Sequence, residues 1–257
     1  MNGLQMMRPG KSLGRLTVAT YNIHRWRGLD GRRDPERIAE VMMELDADII
    51  GLQELDYHTY SRARKREFDN ILHSTGFTVV HGHTVQQGVG RFGNALLTTH
   101  RVLDVRRLNL SVPGREPRGA IDADLEINGE KVQVIVTHLG LRAYERKYQV
   151  KRLLQLLPEE PDRMVIMLGD FNEWSTMNSR VRSLYAHLGK CRSMRTFPSA
   201  CPVLPLDRIW VRPAEHLVDL CVHDSPTARV ASDHLPLKAA INIPDGYPSE
   251  EVACGFL

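Results

Sequence analysis

Polar side chains recur where apolar runs of this chain end: Asn22, Glu54, His138, Asp170 with Asn172, Asp207, and Asp233-His234. Carboxylates with no thiol among them select a hard cation such as Mg²⁺ or Mn²⁺. Imidazoles beside carboxylates supply protons or orient water, and asparagine amides donate to phosphate oxygens without changing the charge balance. A metal on a phosphoryl oxygen offsets developing negative charge and lowers the pKa of bound water. Together these residue types describe hydrolysis of a phosphate ester. Taken singly, each has a plainer explanation. Asn22 fits a strand-end turn, Glu54 and Asp56 fit loop carboxylates, Asp170 fits a helix N-cap before Phe171, and Asp233-His234 fits a solvated turn.

Groups spread from Asn22 to His234 converge only if rigid strands carry them to one rim. The sequence predicts such strands at Leu16–His24, Asp48–Gln53, Phe77–His81, Gly93–Thr99, Val102–Leu108, Met164–Leu168, Leu206–Val211 and Leu235–Ile241. Asn128-Gly129 between Ala120–Ile127 and Lys131–His138 is a hairpin signal, since both turn positions need positive φ. Asp34-Pro35 starts a helix, with Asp as N-cap, and Ile38, Val41, Met42 and Leu45 form one apolar stripe. A second helix is expected over Arg142–Leu157, with Val150, Leu153, Leu154 and Leu157 on one face, stopping at Pro158. Strand–helix alternation followed by hairpins predicts two packed mixed sheets flanked by helices, a four-layer α/β sandwich. No repeat or linker divides the chain. Residues 1–15 are expected as a loose lead-in, 16–243 as one domain, and 244–257 as a surface tail.

Tyr21-Asn22-Ile23-His24, Leu52-Gln53-Glu54, Thr137-His138-Leu139, Gly169-Asp170-Phe171-Asn172, Leu206-Asp207-Arg208-Ile209 and Ser232-Asp233-His234-Leu235-Pro236-Leu237 resemble, in order, the motifs of the endonuclease/exonuclease/phosphatase (DNase I-like) superfamily. The likeness covers roughly residues 16–243, and joint occurrence in family order outweighs the plainer single-residue readings. The resemblance implies a DNase I-like fold and in-line attack of water on phosphorus with Mg²⁺ or Mn²⁺. It implies Glu54 as the main metal ligand, Asn22 beside it, and Asp233 as a second ligand. Asp170 would position the attacking water, Asn172 would hold the scissile phosphate, and Asp207 would orient His234 on the reacting phosphate. His138 would be the second histidine, and Asn94 and Arg118 would face the substrate phosphate. A partner carboxylate for His138, present near the Gly93–Thr99 strand in some members, is not evident here; Asn94 lies there instead.

His138 is similar to the DNase I, sphingomyelinase and small bacterial branches, whereas the exonuclease III-like branch generally has a tyrosine in this region. Abasic-site repair is thereby disfavoured. Tyr21–Asp56 looks most like the compact bacterial members. The implied function is a phosphodiesterase acting on nucleic acid, nucleotide or phospholipid. The alternatives are a phospholipid or inositol-phosphate phosphatase and, in another class, a non-catalytic scaffold that keeps the fold.

Composition bounds the rest. With 42% hydrophobic and 25% charged residues in 257, the chain buries a core without staples. A net charge of +3 does not by itself argue for nucleic acid. Cysteines 191, 201, 221 and 254 have no Cys-x-x-Cys spacing, excluding zinc knuckles and thioredoxin-like sites. Free thiols and the lack of an apolar leader imply a cytoplasmic protein, peripheral at most to the inner membrane face, with no obligate protein partner. His81-Gly-His83 reads as a half-exposed strand rather than a metal pair, and Ser61–Arg66 as a solvated basic loop. Trp26 is assigned equally to packing or to the substrate entrance, where it and the basic loop would touch a membrane.

Overall fold

The computed structural model describes residues 14–56, 76–83, 92–175 and 178–243. Ser61–Arg66, Cys254, most of the lead-in and the tail lie outside them. The strands are β1 (Arg15–Asn22), β2 (Ile49–Asp56), β3 (Thr78–His83), β4 (Phe92–Thr98), β5 (Arg101–Asn109), β6 (Gly119–Ile127), β7 (Glu130–His138), β8 (Val165–Asp170), β9 (Asp207–Arg212), β10 (Leu217–Val222) and β11 (Leu237–Asn242). The helices are α1 (Pro35–Leu45), α2 (Ala143–Leu154), α3 (Ser179–Leu188) and α4 (Pro226–Ala231).

A six-stranded sheet runs β10-β11-β1-β2-β4-β3, and a five-stranded sheet runs β5-β6-β7-β8-β9. Each contains one parallel pair, β1 with β2 and β7 with β8, among antiparallel neighbours. A parallel pair needs a crossover, and here α1 and α2 supply the two crossovers. Val18, Ile49, Leu96, Ile121, Val134, Val136, Leu168, Ile209 and Leu237 fill the space between the sheets. Outside one sheet, Ile38, Val41, Met42 and Leu45 of α1 pack on Tyr21, Ile50 and Leu52. Outside the other, Val150 and Leu153 of α2 and Leu184 and Leu188 of α3 pack with Ile135, Val165, Met167 and Trp210. This is the expected four-layer sandwich.

Asp34 caps α1 as expected, its Oδ1 accepting from Arg37 N at 3.0 Å. Asn128 and Gly129 turn the β6–β7 hairpin with φ of 53° and 80°. Some boundaries differ from expectation. The first strand ends at Asn22, because His24, Arg25 and Trp26 adopt φ of 44°, 52° and 66°. The helix expected to reach Leu157 ends at Leu154, with Gln155 as C-cap. Trp26 is a core residue, 2% exposed, its Nε1 donating to Asp56 O at 2.7 Å, so it does not line an entrance. Cys191, Cys201 and Cys221 are free thiols.

Candidate active site

The parallel pairs put their carboxyl ends at one rim, where ligands of α/β sheets characteristically bind. In the five-stranded sheet His138, the last residue of β7, is in register with Asp170, the last of β8. Asp170 in turn faces Asp207, the first residue of β9. Register partners project to the same side of a sheet, so these three groups form one row across three strands. Gly169 makes the row possible: its φ is 151°, and a Cβ there would meet Thr137 O at 1.9 Å. Gly51 does the same between sheets, since its Cβ would lie 2.0 Å from Leu168 Cδ1. The six-stranded sheet can therefore close until Asn22, ending β1, reaches the row.

The centre is Asp170, 1% exposed. Asn22 Nδ2 donates to its Oδ2 at 3.1 Å, and Asn172 N donates to its Oδ1 at 2.9 Å. His138 Nε2 and His234 Nε2 stand 3.4 Å and 3.7 Å from the same Oδ2. Burial dominates its acidity, partly opposed by His234 and reinforced by Asp207, and the carboxyl is pushed up to about 7. For His234, burial disfavours the charged ring, but Asp207 and Asp170 outweigh it and push the imidazole up to about 10. Its Nδ1 lies 2.8 Å from Asp207 Oδ2, which also accepts from Thr196 Oγ1 at 2.5 Å. Asp207 thus fixes His234 with Nε2 turned to Asp170. His138 lies well below the ordinary imidazole value, first through burial and then through the charge of Arg118. Asn172, at φ 49°, donates from Nδ2 to Leu139 O at 2.9 Å and sits 3.1 Å from His138 Nε2.

The remaining expected residues ring this cluster. Glu54 sits where the β2–β4 register shifts between Leu52 and Leu55, with φ 57°. That irregularity turns its half-buried carboxylate toward Arg25, whose Nε is 3.7 Å from Oε2. Asp233 Oδ1 lies 3.6 Å from His24 Nδ1. Asn94 is buried and donates to Gly119 O at 2.9 Å, a backbone bond rather than a contact with His138. Arg118 is 5% exposed, pairs through Nη2 with Glu116 Oε2 at 3.0 Å, and has an Nε with no hydrogen-bond partner. His138 therefore has Asp170 and Asn172 as its polar neighbours, not a carboxylate from β4.

Thr196, Arg25 and Glu116 are neighbours of these residues that the sequence does not flag, and Ser232 enters only as the first residue of the Ser232–Leu237 motif. Ser232 Oγ donates to Asn22 O at 2.7 Å and so joins segments 210 residues apart. Its place before Asp233-His234 was the available signal; Thr196, in an irregular loop, offered none.

Asp170, Asp207 and His234 carry ligand atoms within 4.8 Å of one another. The Asp207–His234 contact is a hydrogen bond, however, and all three residues are buried, which describes an acid–imidazole pair rather than a cation cage. Glu54 suits a cation better. Its separation from Arg25 exceeds hydrogen-bonding range, so the carboxylate keeps acceptor capacity. Glu54, Asn22 and Asp233 each offer a side-chain oxygen, the donor type that Mg²⁺ and Mn²⁺ prefer.

The sequence profile described as the Endonuclease/Exonuclease/phosphatase family matches residues 19–234. YbhP of Escherichia coli strain K12 is 29% identical over 250 residues, covering 88% of this chain and 96% of the relative. The crystal structure of an endonuclease/exonuclease/phosphatase from Bacteroides vulgatus matches with TM-score 0.71 at 17% identity, covering 90% of this chain and 99% of that one. The human nocturnin catalytic domain, solved with bound sulfate, matches with TM-score 0.67 at 21% identity, covering 88% and 94%.

Proposed function

The chain belongs to the endonuclease/exonuclease/phosphatase family, and from that premise we propose that it is a Mg²⁺- or Mn²⁺-dependent phosphodiesterase, with residues 16–243 as its catalytic unit. The observation that carries this reading is Asp170, a buried carboxylate held by two amide donors and flanked by two imidazoles. A cation on Glu54, Asn22 and Asp233 would supply a Lewis acid that offsets charge on the phosphoryl group. Asp170 orients the attacking water in line with the leaving group. His234, charged and aimed by Asp207, donates from Nε2 to a phosphoryl oxygen. Asn172 and Arg118 hold further oxygens, the latter with its planar fork. His138, kept neutral, positions these groups by hydrogen bonding, and Asn94 supports the neighbouring strand.

The test compares bis-p-nitrophenyl phosphate with p-nitrophenyl phosphate, each with Mg²⁺, Mn²⁺ or EDTA. Metal-dependent diester turnover that is lost in Asp170→Asn supports the reading; faster monoester turnover would make the protein a phosphatase. No turnover, together with no Glu54-dependent metal binding by calorimetry, would leave the scaffold reading.

A phospholipid substrate has one observation in its favour. Leu141, Tyr144, Tyr148 and Trp174 are exposed large side chains beginning three residues after His138 and two after Asn172. Lys147 and Lys151 are exposed on the same helix, a combination suited to an anionic lipid surface. No helix among the described residues is long and apolar enough to cross a membrane, so such contact would be peripheral. Co-sedimentation with anionic vesicles favours lipid; salt-sensitive DNA binding favours nucleic acid.

A further inference from the structure

Beside the row of histidines and aspartates, one carboxylate is held between two guanidinium groups. Glu116 Oε1 accepts from Arg25 Nη2 at 3.2 Å, and Oε2 pairs with Arg118 Nη2 at 3.0 Å. Each oxygen thus serves a different arginine, the way a bridging phosphate would. The two arginines differ: the Arg118 side chain is 6% exposed, while that of Arg25 is 47% exposed. Arg118 also keeps an unpartnered buried Nε, which is costly unless a ligand completes it. Arg25 projects from three consecutive non-glycine residues at positive φ, a conformation disfavoured by sterics and found mainly where function holds it. Glu116 is 43% exposed and sits in the loop between β5 and β6. The exposed Arg25–Glu116 pair contributes little, so that arm of Glu116 releases readily, whereas the buried Arg118 needs another anion in its place.

We infer that Arg25 and the Nη2 of Arg118, whose remaining donors serve the scissile phosphate, form a second anion seat adjoining it, which Glu116 fills until a substrate's second phosphate group displaces it. The substrate class is then a compound bearing two neighbouring phosphates. This rests on the phosphoesterase reading and narrows it. Glu54 is a further carboxylate beside Arg25, so an incoming phosphate competes for a cation that is already poised between anions. Arg25 is a specificity residue and Glu116 its built-in competitor.

Calorimetry in EDTA tests the seat without catalysis, using pyrophosphate and orthophosphate as probes. Wild-type protein should bind pyrophosphate about tenfold more tightly than orthophosphate, the worth of one added charge-assisted hydrogen bond. Glu116→Gln removes the competitor and should widen that ratio severalfold. Arg25→Gln should collapse it toward unity, and Arg25→Lys should restore it in part. An unchanged ratio in Glu116→Gln, or an undiminished one in Arg25→Gln, overturns the proposal. Circular dichroism confirms that each variant folds, and the lysine variant covers any failure of the glutamine one. Thymidine 3′,5′-bisphosphate and short-chain phosphatidylinositol 4-phosphate, run as competitors, distinguish a nucleotide from a lipid source of the paired phosphates. Wild-type turnover of bis-p-nitrophenyl phosphate, with its single phosphate, reports separately on the phosphoesterase reading. Turnover without phosphate discrimination sinks the seat alone, and discrimination with neither turnover nor Glu54-dependent metal binding sinks the catalytic reading alone.

Discussion

Asp122 and Asp124 on β6, and Asp170 and Asp207 on β8 and β9, belong to one sheet and are all buried, yet their surroundings differ in charge. The first pair is enclosed by cations. Arg106 grips Asp122 through Nε at 2.8 Å and Nη2 at 2.9 Å, and its Nη1 reaches Asp124 at 2.8 Å. Arg163 and Lys131 close on Asp124 at 2.8 Å and 3.1 Å, and Gln133 Nε2 donates to Asp122 at 2.7 Å. The second pair is in contact with amides, a hydroxyl and imidazoles instead, and Asp207 Oδ1 has no hydrogen-bond partner. The outcome for acidity is opposite. Burial alone would push Asp124 up, but its hydrogen bonds with Arg106 and Lys131 outweigh burial and hold it below the ordinary value, while Asp170 is pushed up to about 7. Carboxylates that hold the fold are saturated by permanent cations; those of the site face imidazoles, whose charge is titratable, and Asp207 keeps an unpartnered oxygen.

The sharpest way to break this contrast is to neutralise one member of each pair. Asp170→Asn should lower turnover of a reactive diester by about 10²–10⁴-fold, the range for a positioned acid–base group. Because burial outweighs the His234 imidazolium and pushes Asp170 up to about 7, its charge costs stability at neutral pH, so the melting temperature should hold or rise. A fall in melting temperature comparable to the loss in activity would make Asp170 another structural carboxylate.

Arg106→Ala should do the reverse. Removing one partner of a buried ionic cluster costs about 3–5 kcal/mol. Arg163, Lys131 and Gln133 remain, and the Arg106 side chain is 42% exposed, so a loss of about 2–3 kcal/mol by urea denaturation is expected. Turnover measured below the melting transition should be unchanged.

The contrast also explains what could be read from the sequence. Asn22, His138, Asp170, Asn172, Asp207 and His234 close apolar runs, and their resemblance to family motifs in family order groups them; the structure places them side by side. The strand set followed from the same runs. What escaped lacks such runs: β10 has one buried residue, Leu220, and α4 is only six residues long. The helix α3 was legible in principle, since Val181, Leu184, Tyr185 and Leu188 are spaced for one face ahead of Gly189. The pairing of Arg106 with Asp122 and Asp124 was not legible, because alternating charges on two strands look solvated until register places them opposite. Arg25 and Glu116 escaped for a related reason, being joined only by a left-handed turn and a loop.

Acid should separate the two regions further. A carboxyl whose folded pKa is depressed contributes stability that is present above its unfolded pKa and lost as pH falls through the folded one. Asp124, held below its ordinary value of 3.8, therefore contributes fully above pH 3.8 and loses that contribution below it. Asp124→Asn should be less stable than wild type at pH 5, and the two should converge as pH drops toward 2, a range set by ordinary carboxyl values. Denaturation curves at intervals across that range check the convergence; parallel curves would remove Asp124 from the set of fold-holding charges.

The smallest effect bears on the boundary between the two kinds of carboxylate. Thr196 Oγ1 donates to Asp207 at 2.5 Å, much as Gln133 donates to Asp122, so both look like structural donors. They differ in what lies beyond the aspartate: Arg106 in one case, His234 in the other. Thr196→Val, which keeps the shape, and Gln133→Met should each lower stability by about 1 kcal/mol, the net worth of a hydrogen bond. Only Thr196→Val should also lower kcat severalfold with KM unchanged, because Asp207 would then hold His234 less firmly at the position where phosphoryl charge develops. Equal silence of both variants in kcat would mean that Asp207 needs no second anchor, and that the hydroxyl belongs with the fold rather than with the site.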